Sequence, residues 1–316
     1  MLLTLSAAIS LQAQTPLAVI PTNDSKIVRR WSLPGDPHGI AIGADGTIYV
    51  GLAQPQAVVA IDPARGTIKK RVVLDSAEIA ATKELVTMRM SADGKHLYVA
   101  NGSDESVTIL ELPDLHVARE ITIEGEPIRD ALPDPKGRYL FVLGHRVHVY
   151  DASGNEELRM LALDEPTAIA ATDSHLAVLT KDRLTFYETK GFQETGFVAG
   201  LNGIEAALFA GRVLLLLGHD TLYEVSQKTI SEPICLPKGS GPQIATLAAP
   251  RLLLFAERRC SSSGAFSSAD HLVTPASLYG VNAYAVAYDG QSNLLYTTER
   301  AGYLTIYRVP RPAVAH

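Results

Sequence analysis

The sequence lacks the features that mark several classes of protein. It has only two cysteines in 316 residues and a formal net charge of −6. No stripe of clustered Lys and Arg occurs, and phosphate binding needs such a stripe because counterion release supplies much of the affinity. No Cys-x-x-Cys-His haem-attachment motif occurs either. We therefore predict no nucleic-acid partner and no covalently attached haem.

Long hydrophobic runs are also missing. Even the apolar residues 213–217 end at Gly218, far short of the roughly 20 residues that span a bilayer. Residues 2–11 are apolar and lead into Gln12-Ala13-Gln14, which resembles the end of a secretory signal cleaved near Ala13, although no Lys or Arg precedes Lys26. We predict a signal peptide, truncated or with a misplaced start, over residues 1–14. A frayed apolar N-terminus is the alternative.

If that segment is removed on export, the mature protein is periplasmic or secreted. It is then soluble, with no membrane insertion.

The sequence does contain a degenerate repeat of about 40 residues. Residues 39–50 and 87–99 each predict a strand, an Asp-Gly turn and a second strand, since Gly adopts the positive φ of a tight turn. In both copies a third strand and a more polar fourth strand follow, over residues 57–61 and 67–74 in one and 106–110 and 117–123 in the other. Four such strands form one blade of a β-propeller.

More degenerate copies of the repeat follow, and they begin at Glu126, Glu165, Gly203, Pro242 and Asn282. In the sixth unit the second strand is predicted at residues 252–256. A serine-rich insertion over residues 260–267 then obscures the third strand, which we leave unplaced. The seventh unit ends at residue 308, one strand short.

The missing strand is predicted at the other end of the chain. Residues 27–33 share the pattern of residues 68–74, apolar with a basic pair, and such a strand closes the ring and removes a free sheet edge. The predicted fold class is therefore all-β: one seven-bladed β-propeller over residues 27–309, closed by an N-terminal strand. A disordered tail is predicted over residues 310–316.

One unit carries a family resemblance. Leu97-Tyr98-Val99-Ala100-Asn101, followed by Ser106-Val107-Thr108-Ile109, resembles the repeat of the YVTN family of β-propellers. Residues 48–51 and 295–298 are weaker copies. The resemblance implies a propeller related to quinoprotein amine dehydrogenase large subunits, haem d1 domains and seven-bladed lactonases. It implies no chemistry, because the repeated Tyr and Val are core and hairpin residues.

A ligand site is predicted where the innermost strands start, because these positions ring the mouth of the central channel. Aligning the repeats places four polar side chains there, namely His38, Arg129, Gln243 and Tyr284. Capping of exposed strand ends is the alternative for His38 and Arg129. Hairpins on the same face add a rim of polar residues: His145, Arg146, His219, Arg258 and Arg259. Arginines here favour an anionic ligand, whereas plain solvation of hairpin tips is the alternative.

Cys235 and Cys260 end strands that reach this same face. In an exported protein, two cysteines so placed predict a disulfide bond that braces the serine-rich segment. Two unrelated buried thiols are the alternative.

These observations favour a non-catalytic, monomeric binding or interaction module, with a protein partner or a small anionic ligand at the channel mouth. A lactonase-like hydrolase, which in metal-dependent relatives needs acidic ligands around the channel, and a redox propeller of the amine dehydrogenase type are the alternatives. The sequence assigns no catalytic residue, and we predict no metal site and no cofactor.

Overall fold

The computed structural model describes most of the chain up to residue 210 and a set of shorter segments beyond it. The described residues are 15–22, 27–74, 86–101, 105–210, 213–218, 221–226, 229–230, 234–235, 243–246, 252–256, 264–267, 272–275, 283–299 and 301–308. The predicted signal peptide and tail therefore lie outside them. Within the described residues, no helix is long and apolar enough to cross a membrane.

The described strands form seven antiparallel sheets, one for each blade. Two strands near the N-terminus, β1 (Thr15–Pro16) and β2 (Ile27–Ser32), join the outer edges of the first and seventh sheets. Blades 1 to 3 consist of β3 (Pro37–Ile42), β4 (Ile48–Ala53), β5 (Gln56–Asp62) and β6 (Thr67–Val73); β7 (Val86–Met90), β8 (His96–Asn101), β9 (Ser106–Glu111) and β10 (His116–Thr122); and β11 (Asp130–Pro133), β12 (Tyr139–Leu143), β13 (Val147–Asp151) and β14 (Glu157–Leu161). Blades 4 and 5 consist of β15 (Ala168–Ala171), β16 (His175–Leu179), β17 (Arg183–Glu188) and β18 (Glu194–Ala199); and β19 (Ile204–Ala210), β20 (Val213–Gly218), β21 (Thr221–Ser226), β22 (Thr229–Ile230) and β23 (Ile234–Cys235). Blades 6 and 7 consist of β24 (Gln243–Thr246), β25 (Leu252–Ala256), β26 (Gly264–Ser267) and β27 (Leu272–Pro275); and β28 (Ala283–Asp289), β29 (Leu294–Glu299), β30 (Tyr303–Arg308) and β2.

The Asp-Gly turns form the hairpins that the repeat predicts. Gly46 and Gly94 have φ values of 78° and 69°, the left-handed region that favours glycine. In the first turn the Asp45 carboxylate accepts the Thr47 backbone N–H at 3.0 Å. The strands on either side of this turn, β3 and β4, are buried on both faces, because each sheet is packed between two neighbouring blades.

The N-terminal strand closes the ring, as predicted. β2 pairs antiparallel with β30, and Trp31 lies opposite Leu304. Trp31 is 1% exposed and packs in a cluster shared by blades 7 and 1, together with Leu52, Ile61 and Ile306. The closing strand is therefore part of the core.

A second connection between the two blades that close the ring comes from a segment for which no strand was predicted. Residues 15–20, which we call the strap, extend blade 1 because β1 pairs with β6. The Leu17 N–H donates to the Gly66 carbonyl at 2.8 Å, and the Ile20 N–H donates to the Arg30 carbonyl of blade 7 at 3.0 Å. The strap thus joins the outer edges of the two blades that close the ring.

The sixth blade corrects one prediction. The serine-rich residues 260–267 were interpreted as an insertion, yet they contain the third strand, because β26 pairs with β25 on one side and β27 on the other. In the fifth blade the outer edge is divided between β22 and β23, which both pair with β21. Cys235 lies in β23, whereas Cys260 lies outside the described residues, so the disulfide stays a prediction.

Candidate functional site: the channel mouth

The innermost strands form the wall of a closed ring. β3, β7, β11, β15, β19, β24 and β28 each contact the next, and β28 contacts β3. Since every sheet starts with its innermost strand, all seven strand starts lie on one face. His38 and Tyr284 are the second residues of β3 and β28, Gln243 opens β24, and Arg129 directly precedes β11. The side chains of Gln243 and Tyr284 lie outside the described part of the structure.

His38 is buried beneath the mouth. Its side chain is 3% exposed, and Nε2 lies 3.3 Å from the Asp36 carboxylate. Its backbone carbonyl accepts the Thr298 hydroxyl of blade 7 at 3.0 Å. His38 therefore joins blade 1 to blade 7, and in this arrangement its imidazole is not presented to the channel.

Arg129 is exposed at the mouth and held by its own contacts. Its backbone N–H donates to the Leu143 carbonyl at 2.7 Å, which fixes the start of β11. The guanidinium Nη1 donates to the Pro166 carbonyl at 3.0 Å, in the loop that leads into blade 4. The side chain thus reaches from blade 3 to blade 4, and no carboxylate among the described residues pairs with it within 4 Å.

The strand positions next to Arg129 hold a charged pair that the sequence analysis missed. Arg89 of β7 donates from Nε and Nη2 to the two oxygens of Asp130 in β11, at 3.2 and 3.0 Å. The charge of Asp130 raises the pKa of Arg89, so the guanidinium stays protonated. The sequence offered one signal for this pair, because Arg89 is the only charged residue of the innermost strand β7.

The hairpin of blade 3 holds the rim residues His145 and Arg146, which are both exposed. Arg146 Nη1 lies 3.3 Å from the Met160 sulfur on the outer strand β14. That contact directs the side chain away from β11, the innermost strand beside Arg129. The structure therefore does not bring Arg146 and Arg129 together at the channel.

A buried acid supports this hairpin from below. Glu126 Oε2 accepts the Arg146 backbone N–H at 3.2 Å and lies 3.2 Å from His148 Nε2. His148 Nδ1 lies 2.9 Å from Glu157 Oε1. Burial raises the pKa of Glu126, but the hydrogen bonds from His148 and the hairpin N–H groups outweigh it, so the pKa lies below its usual 4.5.

Three predicted rim residues, His219, Arg258 and Arg259, lie outside the described residues. Within the part of the chain that the structure describes, no three His, Cys, Asp or Glu side chains cluster in a way that could hold a metal ion.

Comparisons with solved structures find the same architecture. A virginiamycin B lyase from Staphylococcus aureus superposes with a TM-score of 0.71 at 13% identity, covering 89% of this chain and 98% of the lyase. A catalytically inactive histidine-to-alanine form of that lyase, with quinupristin, gives a TM-score of 0.71 at 13% identity and covers 93% and 99%. The β-propeller domain of Cps50 (Swd1) from Myceliophteria thermophila gives 0.67 at 15% identity and covers 94% and 100%.

No protein-family model and no curated protein sequence matches the chain. The structural likeness, at these identities, establishes the fold alone. The seven sheets and their closure define the class: the chain is a seven-bladed β-propeller closed by its N-terminal strand.

Proposed function

We propose that this propeller is a non-catalytic binding module that takes a small anionic ligand at the channel mouth. The observation that carries the proposal is that Arg129 is exposed at the mouth and forms no ion pair within 4 Å with any described carboxylate. Arg89 neutralises Asp130 through a bidentate pair, so Asp130 does not compensate the neighbouring guanidinium of Arg129. Arginine binds carboxylate and phosphate groups through its planar set of donors.

The position of Arg129 also favours binding. Its bond to the Pro166 carbonyl uses one terminal nitrogen and holds the side chain in place, which lowers the entropy lost when a ligand binds. His38 acts in this proposal as a residue that holds blades 7 and 1 together at the mouth, rather than as a ligand contact.

Isothermal titration at low ionic strength with inorganic phosphate and with citrate tests the proposal. We expect saturable binding of at least one of them, and a loss of about tenfold, or about 1.4 kcal/mol, in Arg129→Ala. Arg71→Ala, an exposed arginine on the outer strand β6, is the matched control and leaves affinity unchanged. Absence of binding, or equal affinity in Arg129→Ala, would contradict the proposal.

We also propose that the chain is exported, with its leader removed near Ala13. The sequence supports this, because the apolar residues 2–11 lead into Gln12-Ala13-Gln14, which resembles the end of a secretory signal. Mass spectrometry of protein from the periplasm or medium should find a mature N-terminus near Gln14. Uncleaved chain confined to the cytoplasm would contradict this part of the proposal.

A further inference from the structure

A pocket lies between blades 2 and 3 on the face opposite the channel mouth. Its volume is about 550 Å³, within the range of about 300–1,000 Å³ that small-molecule sites occupy. The turns between first and second strands, at residues 91–93 and 136–137, form one side of it. The turn at residues 152–155 and parts of β8, β9 and β10 form the rest.

The floor of this pocket is apolar and fixed. Ile109, Ala118, Ala152 and the ring of Tyr98 contribute to it. The Tyr98 hydroxyl donates to the Ala152 carbonyl at 2.9 Å, which ties blade 2 to blade 3 at the pocket. Burial raises the pKa of Tyr98 to about 12, so the phenol is neutral at physiological pH. The floor thus offers apolar contact area without a charge of its own.

The walls carry two cations, Arg119 and Lys136, that have little neutralisation from described carboxylates. Arg119 forms no ion pair within 4 Å with any described residue, and Lys136 has only a contact of 3.8 Å with Asp173. Both partners of that contact are more than half exposed, so it contributes little.

The walls also carry two carboxylates, Asp93 and Glu111. Asp93 Oδ1 accepts the Ser91 hydroxyl at 2.7 Å and the Lys95 N–H at 3.0 Å, and the Ser91 bond is the main reason that the pKa of Asp93 is lowered. Neither carboxylate forms an ion pair with the described cations of the pocket. The pocket therefore presents balanced charges of both signs around an apolar floor.

We propose that this pocket binds a zwitterionic small molecule of the short-peptide class. The ligand carboxylate pairs with Arg119 and Lys136, its ammonium group pairs with Asp93 and Glu111, and its apolar body covers the floor. A purely anionic ligand would place its charge beside two carboxylates, and a purely cationic one would place its charge beside two cations. Only a zwitterion pairs with both sets of wall charges. This site is separate from the channel mouth, and its test does not depend on that proposal.

The test uses three forms of one dipeptide: leucyl-leucine, N-acetyl-leucyl-leucine and leucyl-leucine amide. Isothermal titration at low ionic strength should show binding of the zwitterion with a Kd of about 1 mM or tighter. Blocking either end should weaken binding at least tenfold, because one pair of wall charges is then left without a partner. No saturable binding up to about 10 mM, or equal affinity for a blocked form, overturns the proposal.

Two variants test which wall residue binds each end of the ligand. Arg119→Ala should weaken leucyl-leucine about tenfold yet leave the amide unaffected, whereas Glu111→Gln should weaken leucyl-leucine yet leave the acetylated form unaffected. Arg71→Ala is the matched control, because Arg71 lies opposite Val59 on an outer strand as Arg119 lies opposite Ile109. Equal losses in Arg119→Ala and Arg71→Ala would overturn the assignment. Arg129→Ala, which tests the channel mouth, should bind leucyl-leucine amide as the unaltered chain does, because this peptide has no carboxylate for the mouth.

Discussion

At the scale of single residues, His148 is held between two acids inside the blade 2 and blade 3 interface. It is 5% exposed, and both ring nitrogens lie within hydrogen-bonding distance of a carboxylate oxygen, from Glu126 and Glu157. The imidazole thus bridges Glu126, below the rim hairpin, and Glu157 on the outer strand β14. Because Glu126 Oε2 also accepts the Arg146 backbone N–H, this buried cluster supports the rim hairpin.

We expect Glu126→Gln to destabilise the protein. The change removes the negative charge beside His148 and weakens the acceptor for the Arg146 N–H, at a cost of about 1–3 kcal/mol in the free energy of unfolding. Urea denaturation at neutral pH measures this. Glu120→Gln, an exposed acid on β10, should change stability by less than about 0.5 kcal/mol. Equal stability of the two variants would show that the buried cluster contributes nothing.

Acidification should destabilise the fold, because it protonates carboxyl groups in several turns and in the cluster around His148. The pKa values of Asp45, Asp93, Glu126 and Asp151 all lie below their usual values. A carboxyl whose pKa is lower in the folded state stabilises the fold above its unfolded pKa, and this contribution is lost as the pH falls through the folded pKa. The urea midpoint should therefore fall as the pH is lowered from about 5 to about 3.

A matched variant makes this prediction specific. Asp45→Asn keeps an oxygen that can accept the Thr47 N–H but cannot titrate, so it should reduce the change in midpoint with pH. A midpoint that is constant across this range in the unaltered chain would contradict the prediction.

At the scale of elements, the strap should contribute to stability through both its backbone and one side chain. A chain that starts at residue 21 loses the bonds to Gly66 and Arg30 and leaves the edge of β6 bare. We expect Tm to fall, by about 2–4 °C for each kcal/mol lost, and self-association to increase. Differential scanning calorimetry and light scattering measure the two effects against a chain that starts at residue 15.

Two side chains of the strap form an internal comparison. Leu17 packs against the core cluster of blades 7 and 1, whereas Val19 is 65% exposed. Leu17→Ala should therefore lower Tm and Val19→Ala should leave it unchanged. The reverse order would mean that the strap does not dock as described.

The sequence predicted some of these elements and missed others for identifiable reasons. β2 could be predicted because its apolar pattern with a basic pair repeats that of β6. β26 could not, because Gly264–Ser267 contains no β-branched residue and lies in a serine-rich stretch. The strand starts at the mouth followed from the repeat alignment. The partners of Arg129 and Arg89 could not be predicted from that alignment. Their contacts join different blades and depend on side-chain conformations that no repeat encodes.

At the scale of the whole molecule, the joint between blades 7 and 1 depends on a close contact between Gly66 and Trp31. A Cβ on Gly66 would lie 2.7 Å from Trp31 Nε1, and Gly66 has a φ of 65°. Gly46 has a φ of 78° but open space around the equivalent Cβ position. Comparing alanine at the two sites separates backbone strain from the clash with Trp31.

We expect Gly46→Ala to cost about 1 kcal/mol and Gly66→Ala to cost distinctly more. Trp31 is the only tryptophan in the chain, so its fluorescence reports the closure directly while far-UV circular dichroism reports all blades. If closure is coupled to the whole ring, the two signals should give the same urea midpoint in each variant. A fluorescence transition at lower urea in Gly66→Ala would show that the joint opens by itself.

The pairing of β2 with β30 also has a consequence for biosynthesis. Arg30 and its partner Thr305 are 275 positions apart, so at about 5–20 residues per second the ribosome needs about 14 to 55 s to make the partner of β2. During that interval Trp31 has no blade 7 to pack against, and the edge that β2 presents is open to other chains. The ring can therefore close only after β30 has been synthesised.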